Sequence, residues 1–343
     1  MNIVTKARSV AAALTFAAAM AGAGAAHAET TVVVGYQQIV GPFVSAIAAG
    51  AFDKPEKEAG YKIDWRQFAS AGDISTALAS GNVAVGVIGS TGATAAVTRG
   101  VDAELFWILD NIGKSEALIA RNGSGIKTPQ DLVGKTVAVP FVSTSHFHLL
   151  IALEKIWHID PHKLKILNLQ PPQIVAAWKR GDIDAAYVWP PALSEIEKTG
   201  KEIINSGEVG KASVPTFDGI VANKSWAKDN PKFMAAFTKV LAEAYADFKK
   251  NGANWTPDSP EVKGIIKMIG GKPEDIVEAS HLLQYPTAEE QASDTWLGGG
   301  AKGGAVRAFA ASAQFLKSQK QIDSVLADYT PYVTDAYAKA AEK

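Results

Sequence analysis

The stretch that decides the fold is 136-TVAVPFVSTSHFHLLIALEK-155, followed by 165-KILNLQPPQIVAAWKRG-181 and 182-DIDAAYVWPPALSEIEK-198. Thr136 to Val139 reads as a short strand ending at Pro140, which has no N–H to give to a ladder. Ser143-Thr144-Ser145-His146 then stands where a helix N-cap belongs, ahead of the helical run Phe147 to Lys155. The next two segments repeat the device: a brief apolar run, Pro near the first helical turn, then a helix-period pattern. Three successive strand–loop–helix units predict a parallel sheet whose C-terminal loops all lie on one side. Those loops carry Ser143, Thr144, Ser145, Gln170 and Trp189. Helix N-termini with free N–H groups, joined by hydroxyls, make an anion site that needs no metal, cofactor or formal positive charge.

The preceding part of the chain uses the same device. Thr31 to Gly35 is a β-branched strand, with Tyr36, Gln37 and Gln38 at its C-terminal end, where open α/β sheets form their crevice. The alternative for the Gln pair is a solvated loop. Phe43 to Ala59 reads as one helix, Lys62 to Phe68 as a strand, and Val83 to Ile88 as another strand ending in Gly89-Ser90-Thr91-Gly92. That last loop lacks the Lys and the spacing of a phosphate-binding loop, and alone it is an ordinary helix cap. Its recurrence in both halves makes Ser90 and Thr91 candidates. Leu105 to Leu109 is a further strand, Ala117 to Ala120 begins a crossing, and the chain returns near Thr216-Phe217-Asp218 with Ile220 to Ala222 as a strand. From Ser225 onward the pattern is helical: 231–250, 260–269, 273–283, 287–296 and 305–319.

Lys6 and Arg8, an apolar Ala-rich stretch, and Ala26-His27-Ala28 have the form of a secretory signal peptide, with cleavage expected after Ala28. The stretch is too short and too poor in Leu to read as a membrane anchor. An exported, periplasmic chain is expected. With no cysteine among 343 residues, disulfides, thiolate metal sites and cysteine nucleophiles are excluded. A net charge of −1 without a long basic tract points to neither nucleic acid nor anionic membrane as a partner.

Several of these segments resemble the periplasmic taurine-binding proteins of ABC importers, within the taurine, alkanesulfonate and nitrate-type solute-binding family. They are 34-VGYQ-37, 63-IDWRQF-68, 77-ALASGNVAVGVIGST-91, 111-NIGKSEALIA-120, 137-VAVPFVSTSHFHLL-150 and 166-ILNLQPPQIVAAWKRGDIDAAYVWPPA-192. The resemblance runs in order to about residue 224. It implies an α/β, two-lobed periplasmic binding protein fold (type II), each lobe a mainly parallel sheet flanked by helices, with ligand in the cleft between lobes that close on it. Lobe I would comprise 30–115 and 222–343, and lobe II 116–221. It also implies a monomer working with an ABC permease and, through it, ATPase subunits.

Taurine is a zwitterion, sulfonate at one end and ammonium at the other. The sulfonate stays ionised, so the protein need supply only donors, without a buried charge that would itself require pairing. Ser143, Thr144 and Ser145, with Ser90 and Thr91 opposite, are the candidates, joined by Gln37, Gln170 and His146. A His in the first helical turn is, alternatively, a packing residue. The ammonium wants an acid or an aromatic face. Asp218, at the return crossing, matches an acid of the family's pattern, and Trp189 can cover the ligand's stem or its cation; core packing is the alternative for Trp189. Asp182 and Asp184 fall in a turn on the far side of the sheet. Two departures from the family's pattern, Ile220 where an aromatic is expected and Ala69 where an acid is, lie where amine or stem contacts belong. An amine-free alkanesulfonate, nitrate or another oxyanion is thus the nearer alternative. A more distant one is an enzyme of the thiamine-pyrimidine type, for which no nucleophile–base–orienter group is visible.

Overall fold

The computed structural model describes residues 29–342. The expected signal peptide and its cleavage site lie outside the described residues. The chain begins with β1 (Thr30–Tyr36), α1 (Pro42–Ala48), α2 (Asp53–Glu58), β2 (Tyr61–Gln67), α3 (Ala71–Ala79), β3 (Val85–Gly89), α4 (Ser90–Thr98) and β4 (Ala103–Asn111). It crosses into β5 (Ala117–Arg121), β6 (Thr136–Val139), α5 (Thr144–Ile151), β7 (Lys165–Asn168), α6 (Pro171–Arg180), β8 (Ala185–Val188), α7 (Ala192–Glu197), β9 (Gly200–Asn205) and α8 (Ser206–Ala212). It returns through β10 (Phe217–Asn223) to α9 (Lys224–Asp229), α10 (Pro231–Asn251), α11 (Pro260–Ile269), α12 (Pro273–Leu282), α13 (Ala288–Gln291), α14 (Gly304–Ser318) and α15 (Ala336–Ala341).

Two five-stranded sheets result, ordered β2-β1-β3-β10-β4 and β7-β6-β8-β5-β9. They are mixed rather than wholly parallel. β10 runs antiparallel to β3 and β4, and β5 antiparallel to β8 and β9. The reason is connectivity: β5 and β10 carry the chain from one lobe into the other and so enter their sheets from the opposite end. All of β10 pairs in the first sheet, so residues 217–221 stand there and not in the second lobe, as the expected boundary at 222 had them.

β3, β4 and β8 are buried along almost their whole length, as strands covered on both faces must be. One core cluster lies inside the first lobe, around Phe43, Phe52 and Phe237, and another inside the second, around Ile174 and Ile196. The third runs through both lobes: Phe315 of α14 meets Phe147 of α5 edge-on at 5.0 Å between ring centres. The helical tail thus packs on the first lobe and also reaches the second. The expected helix 43–59 is broken into α1 and α2 because Gly50 takes φ +69°, a left-handed conformation that stops α1. The expected helix 287–296 shortens to α13. Among the described residues no helix is long and apolar enough to cross a membrane.

Candidate functional site

The C-terminal strand ends of both sheets converge on one cavity. The first lobe contributes Gln37, Gly89, Gly92 and Asp218; the second contributes Pro140, Ser143, Thr144, Gln170 and Trp189; Glu116 stands at the crossing between them. The lobes meet closely here. A Cβ added to Gly89 would lie 3.2 Å from Asp218 Oδ1 and 3.2 Å from Thr144 Cγ2, so only a glycine leaves both neighbours undisturbed.

Part of the cavity wall is built from helix N-termini. Gly89, the N-cap of α4, has no side chain to spend on the helix, so no side chain caps its first-turn amides. Across the cavity Ser143 caps α5: its Oγ accepts the His146 N–H at 3.1 Å and donates to Pro140 O at 2.6 Å. That leaves the amides of Thr144 and Ser145 at the open end of the helix. Backbone N–H groups and helix dipoles are donors on offer here.

Of the hydroxyls expected as ligand donors, two are committed within the protein, while those of Ser90, Thr91 and Ser145 are buried without a partner. Ser143 is committed to its cap, and Thr144 Oγ1 donates to Glu116 Oε1 at 2.5 Å. Ser145 and His146, one and two positions further, are turned by the helix into the interior and line no part of the cavity. The His146 ring stacks on Phe141 at 4.4 Å and meets Phe315 edge-on, its Nδ1 accepts the Val142 N–H at 3.4 Å, and burial pushes its pKa down to about 4. It is a packed, neutral histidine. Ser90 and Thr91 are fully buried beside the cavity, whose wall there is Gly89 and Gly92.

Gln37 lines the cavity and donates one amide hydrogen to Val87 O at 3.2 Å. Gln170 opens α6, its N–H accepted by the Gln173 side chain at 2.9 Å, and its own Oε1 is buried without a partner. Trp189, half-buried just after β8, borders this cavity and the two spaces contiguous with it. Ile220 is fully buried in the first lobe's core, and Ala69 borders only the outer mouth.

Acids stand directly beside these helix starts: Asp218 is in register with Gly89, and Glu116 accepts from Thr144. Asp218 in β10 pairs in register with Asp110 in β4, and Glu116 lies beside Asp218 in the cavity wall. Burial, and then the charge of Glu116, push Asp218 up to about 7. Burial also raises Glu116 to about 7, against hydrogen bonds donated by Thr144 and, at 3.0 Å, by Ser206. Asp110 is driven well above the usual carboxylate range by burial and by both neighbouring acids. None of the ion pairs among the described residues involves these three, and no group of acids and histidines there is arranged to hold a metal ion. Of the three, sequence reasoning found only Asp218. Asp110 did carry a signal: a carboxylate closing an otherwise apolar buried strand, at the strand end that forms the crevice. Glu116, one acid ahead of an apolar run, carried none. Asp184, meanwhile, accepts the Thr136 N–H at 2.9 Å at the far end of the second sheet, a structural task.

The family described as NMT1/THI5 like matches residues 41–254. The chain belongs to the NMT1/THI5-like family. Within that family it is similar to the taurine-binding periplasmic protein of Escherichia coli strain K12, 38% identical over 308 residues that cover 90% of this chain and 92% of the relative. It is also similar to a putative aliphatic sulfonates-binding protein of Bacillus subtilis strain 168, 26% identical over 212 residues, 62% of this chain and 63% of the relative. Among solved structures, the alkanesulfonate-binding protein SsuA of Xanthomonas axonopodis pv. citri, bound to MOPS, superposes with a TM-score of 0.69 at 20% identity, covering 90% of this chain and 97% of that one. The two-lobed periplasmic binding protein architecture is therefore this family member's fold, and these relatives carry the names of binding proteins.

Proposed function

We propose that this chain is the periplasmic solute receptor of an ABC importer, which closes on taurine or a closely related aminosulfonate and delivers it to a membrane permease and its ATPase subunits. One observation carries the reading: the interlobe cavity sets the N-termini of α4 and α5 directly beside carboxylates that no cation neutralises. That polarity complements a ligand with an anion and a cation a short distance apart. The sulfonate sits at Gly89, Gly92 and the start of α5 at Thr144; the ammonium meets Asp218 and Glu116; Trp189 covers the stem. The relatives' names support the same ligand class. A catalytic reading lacks its parts here, because the Ser143 hydroxyl donates to Pro140 O and the His146 ring faces Val142 and Phe141.

An amine-free sulfonate would leave Asp218 buried without a cation. The raised pKa values give it one route in, since a protonated Asp218 carries no charge to be paired. Calorimetry on wild type and Asp218→Asn with taurine and ethanesulfonate separates the readings. Wild type should prefer taurine by several kcal/mol, the cost of an unpaired buried charge, and Asp218→Asn should lose that preference while ethanesulfonate is held or gains. Equal weakening of both ligands would make Asp218 a structural residue of the crossing, and a wild type that prefers ethanesulfonate would make the protein an alkanesulfonate receptor.

A further inference from the structure

A second, inner chamber opens behind Asp218. It shares Ile39, Glu116, Trp189 and Asp218 with the main cavity and ends at Asp110. Apart from the acids and Ser115 its walls are apolar, among them Ile112 and Leu283. Asp110 has no exposed surface, and neither of its carboxylate oxygens accepts a hydrogen bond from a side chain. Because Asp110 and Asp218 are in register on adjacent strands, their side chains leave the sheet side by side on one face, both at the chamber wall. Its volume is about 20 Å³, space for roughly one water-sized group.

These features are more than a two-carbon zwitterion requires. An ammonium paired with Asp218 leaves the chamber empty of ligand and Asp110 without a partner. We infer that the pocket accepts aminosulfonates one methylene longer than taurine, whose ammonium passes Asp218 to lie between it and Asp110, and that Asp110 sets this upper limit of length. The inference rests on the proposed function and adds to it the permitted distance between anion and cation.

The test is calorimetry on full-length mature protein with taurine, 3-aminopropanesulfonate and propanesulfonate, on wild type and Asp110→Asn. Wild type should bind 3-aminopropanesulfonate within about tenfold of taurine and propanesulfonate far more weakly. Asp110→Asn should weaken 3-aminopropanesulfonate about tenfold or more, as loss of a charge-assisted hydrogen bond does, and taurine less than about threefold. Wild type that binds taurine but holds the three-carbon compound more than about a hundredfold weaker would overturn this inference and leave the proposed function standing. Equal weakening of both ligands in Asp110→Asn would overturn Asp110 as the length-setting residue. Absence of binding by every sulfonate would remove the proposed function as well. The wild-type comparison alone decides the length question if the variant does not fold.

Discussion

Thr144 Oγ1 donates to Glu116 Oε1 at 2.5 Å, which ties the first residue of α5 to the segment where the chain crosses between lobes. Both residues line the interlobe cavity, so the bond ties the start of α5 to an acid of the same wall. A hydroxyl that reads from the sequence as a ligand donor is thus engaged with a neighbouring carboxylate.

Substitutions at Ser143 and Thr144 should therefore act indirectly. Ser143→Ala removes a helix cap and should cost about 1 kcal/mol of stability with little change in sulfonate affinity. Thr144→Val deletes the donor to a buried carboxylate and should cost about 1.5–3 kcal/mol in stability, while raising the Glu116 pKa further and weakening taurine more than ethanesulfonate. Thermal unfolding paired with calorimetry checks both variants. Equal, large losses of both ligands in Ser143→Ala would mean that the hydroxyl itself holds the sulfonate.

The buried acids and histidines set the pH dependence of the ligand-free protein. Glu56, Glu116, Glu197 and Asp218 are raised to about 8, 7, 7 and 7, so the fold keeps protons that the unfolded chain has already released. Between about pH 6.5 and 8 stability should rise as pH falls. His146 and His148 are lowered to about 4, so below about pH 6.5 the unfolded chain takes up protons that the folded rings refuse, which offsets part of that rise. With four raised acids against two lowered histidines, Tm should go on rising below about pH 6.5, only more gently, until the carboxylates of the unfolded chain take up protons in their turn. Taurine, whose ammonium favours ionised carboxylates, should raise Tm more at pH 8 than at pH 6, and ethanesulfonate the reverse. A ligand-free Tm that climbs steadily from pH 6.5 to 8 would contradict the assignment.

Lys198 of α7 bridges to Asp275 of α12 at 3.0 Å and to Glu195 at 2.6 Å, so the first of these ion pairs spans the two lobes. Its side chains are partly exposed, and Asp275→Asn should lose only about 0–1 kcal/mol, under roughly fivefold in taurine affinity and less at high salt. The edge-on contact of Phe147 with Phe315 also joins the lobes. Scattering should show a monomer whose radius of gyration shrinks with saturating taurine, in wild type and variant alike. An unchanged radius in wild type would count against lobe closure.

What the sequence determined by itself is the local order. Pro140 ends a strand, Ser143 caps the following helix, α11 runs from Pro260 to Ile269 as its period predicts, and Gly89 and Asp218 fall where strand ends meet the crevice. Each of these follows from capping, periodicity or turn chemistry within a few residues, which a single chain displays openly. The tertiary structure decided which groups are free and which are spent. Glu116 meets Thr144 over 28 residues and Ser206 over 90, and Asp110 meets Asp218 across two strands that come together only because the chain returns from the second lobe. The same return makes β5 and β10 antiparallel, and helix rotation after the Ser143 cap turns Ser145 and His146 inward. Long-range pairing and burial leave no periodic trace in the sequence; a carboxylate written beside apolar residues becomes a cation site only when the fold removes water and brings a second carboxylate beside it.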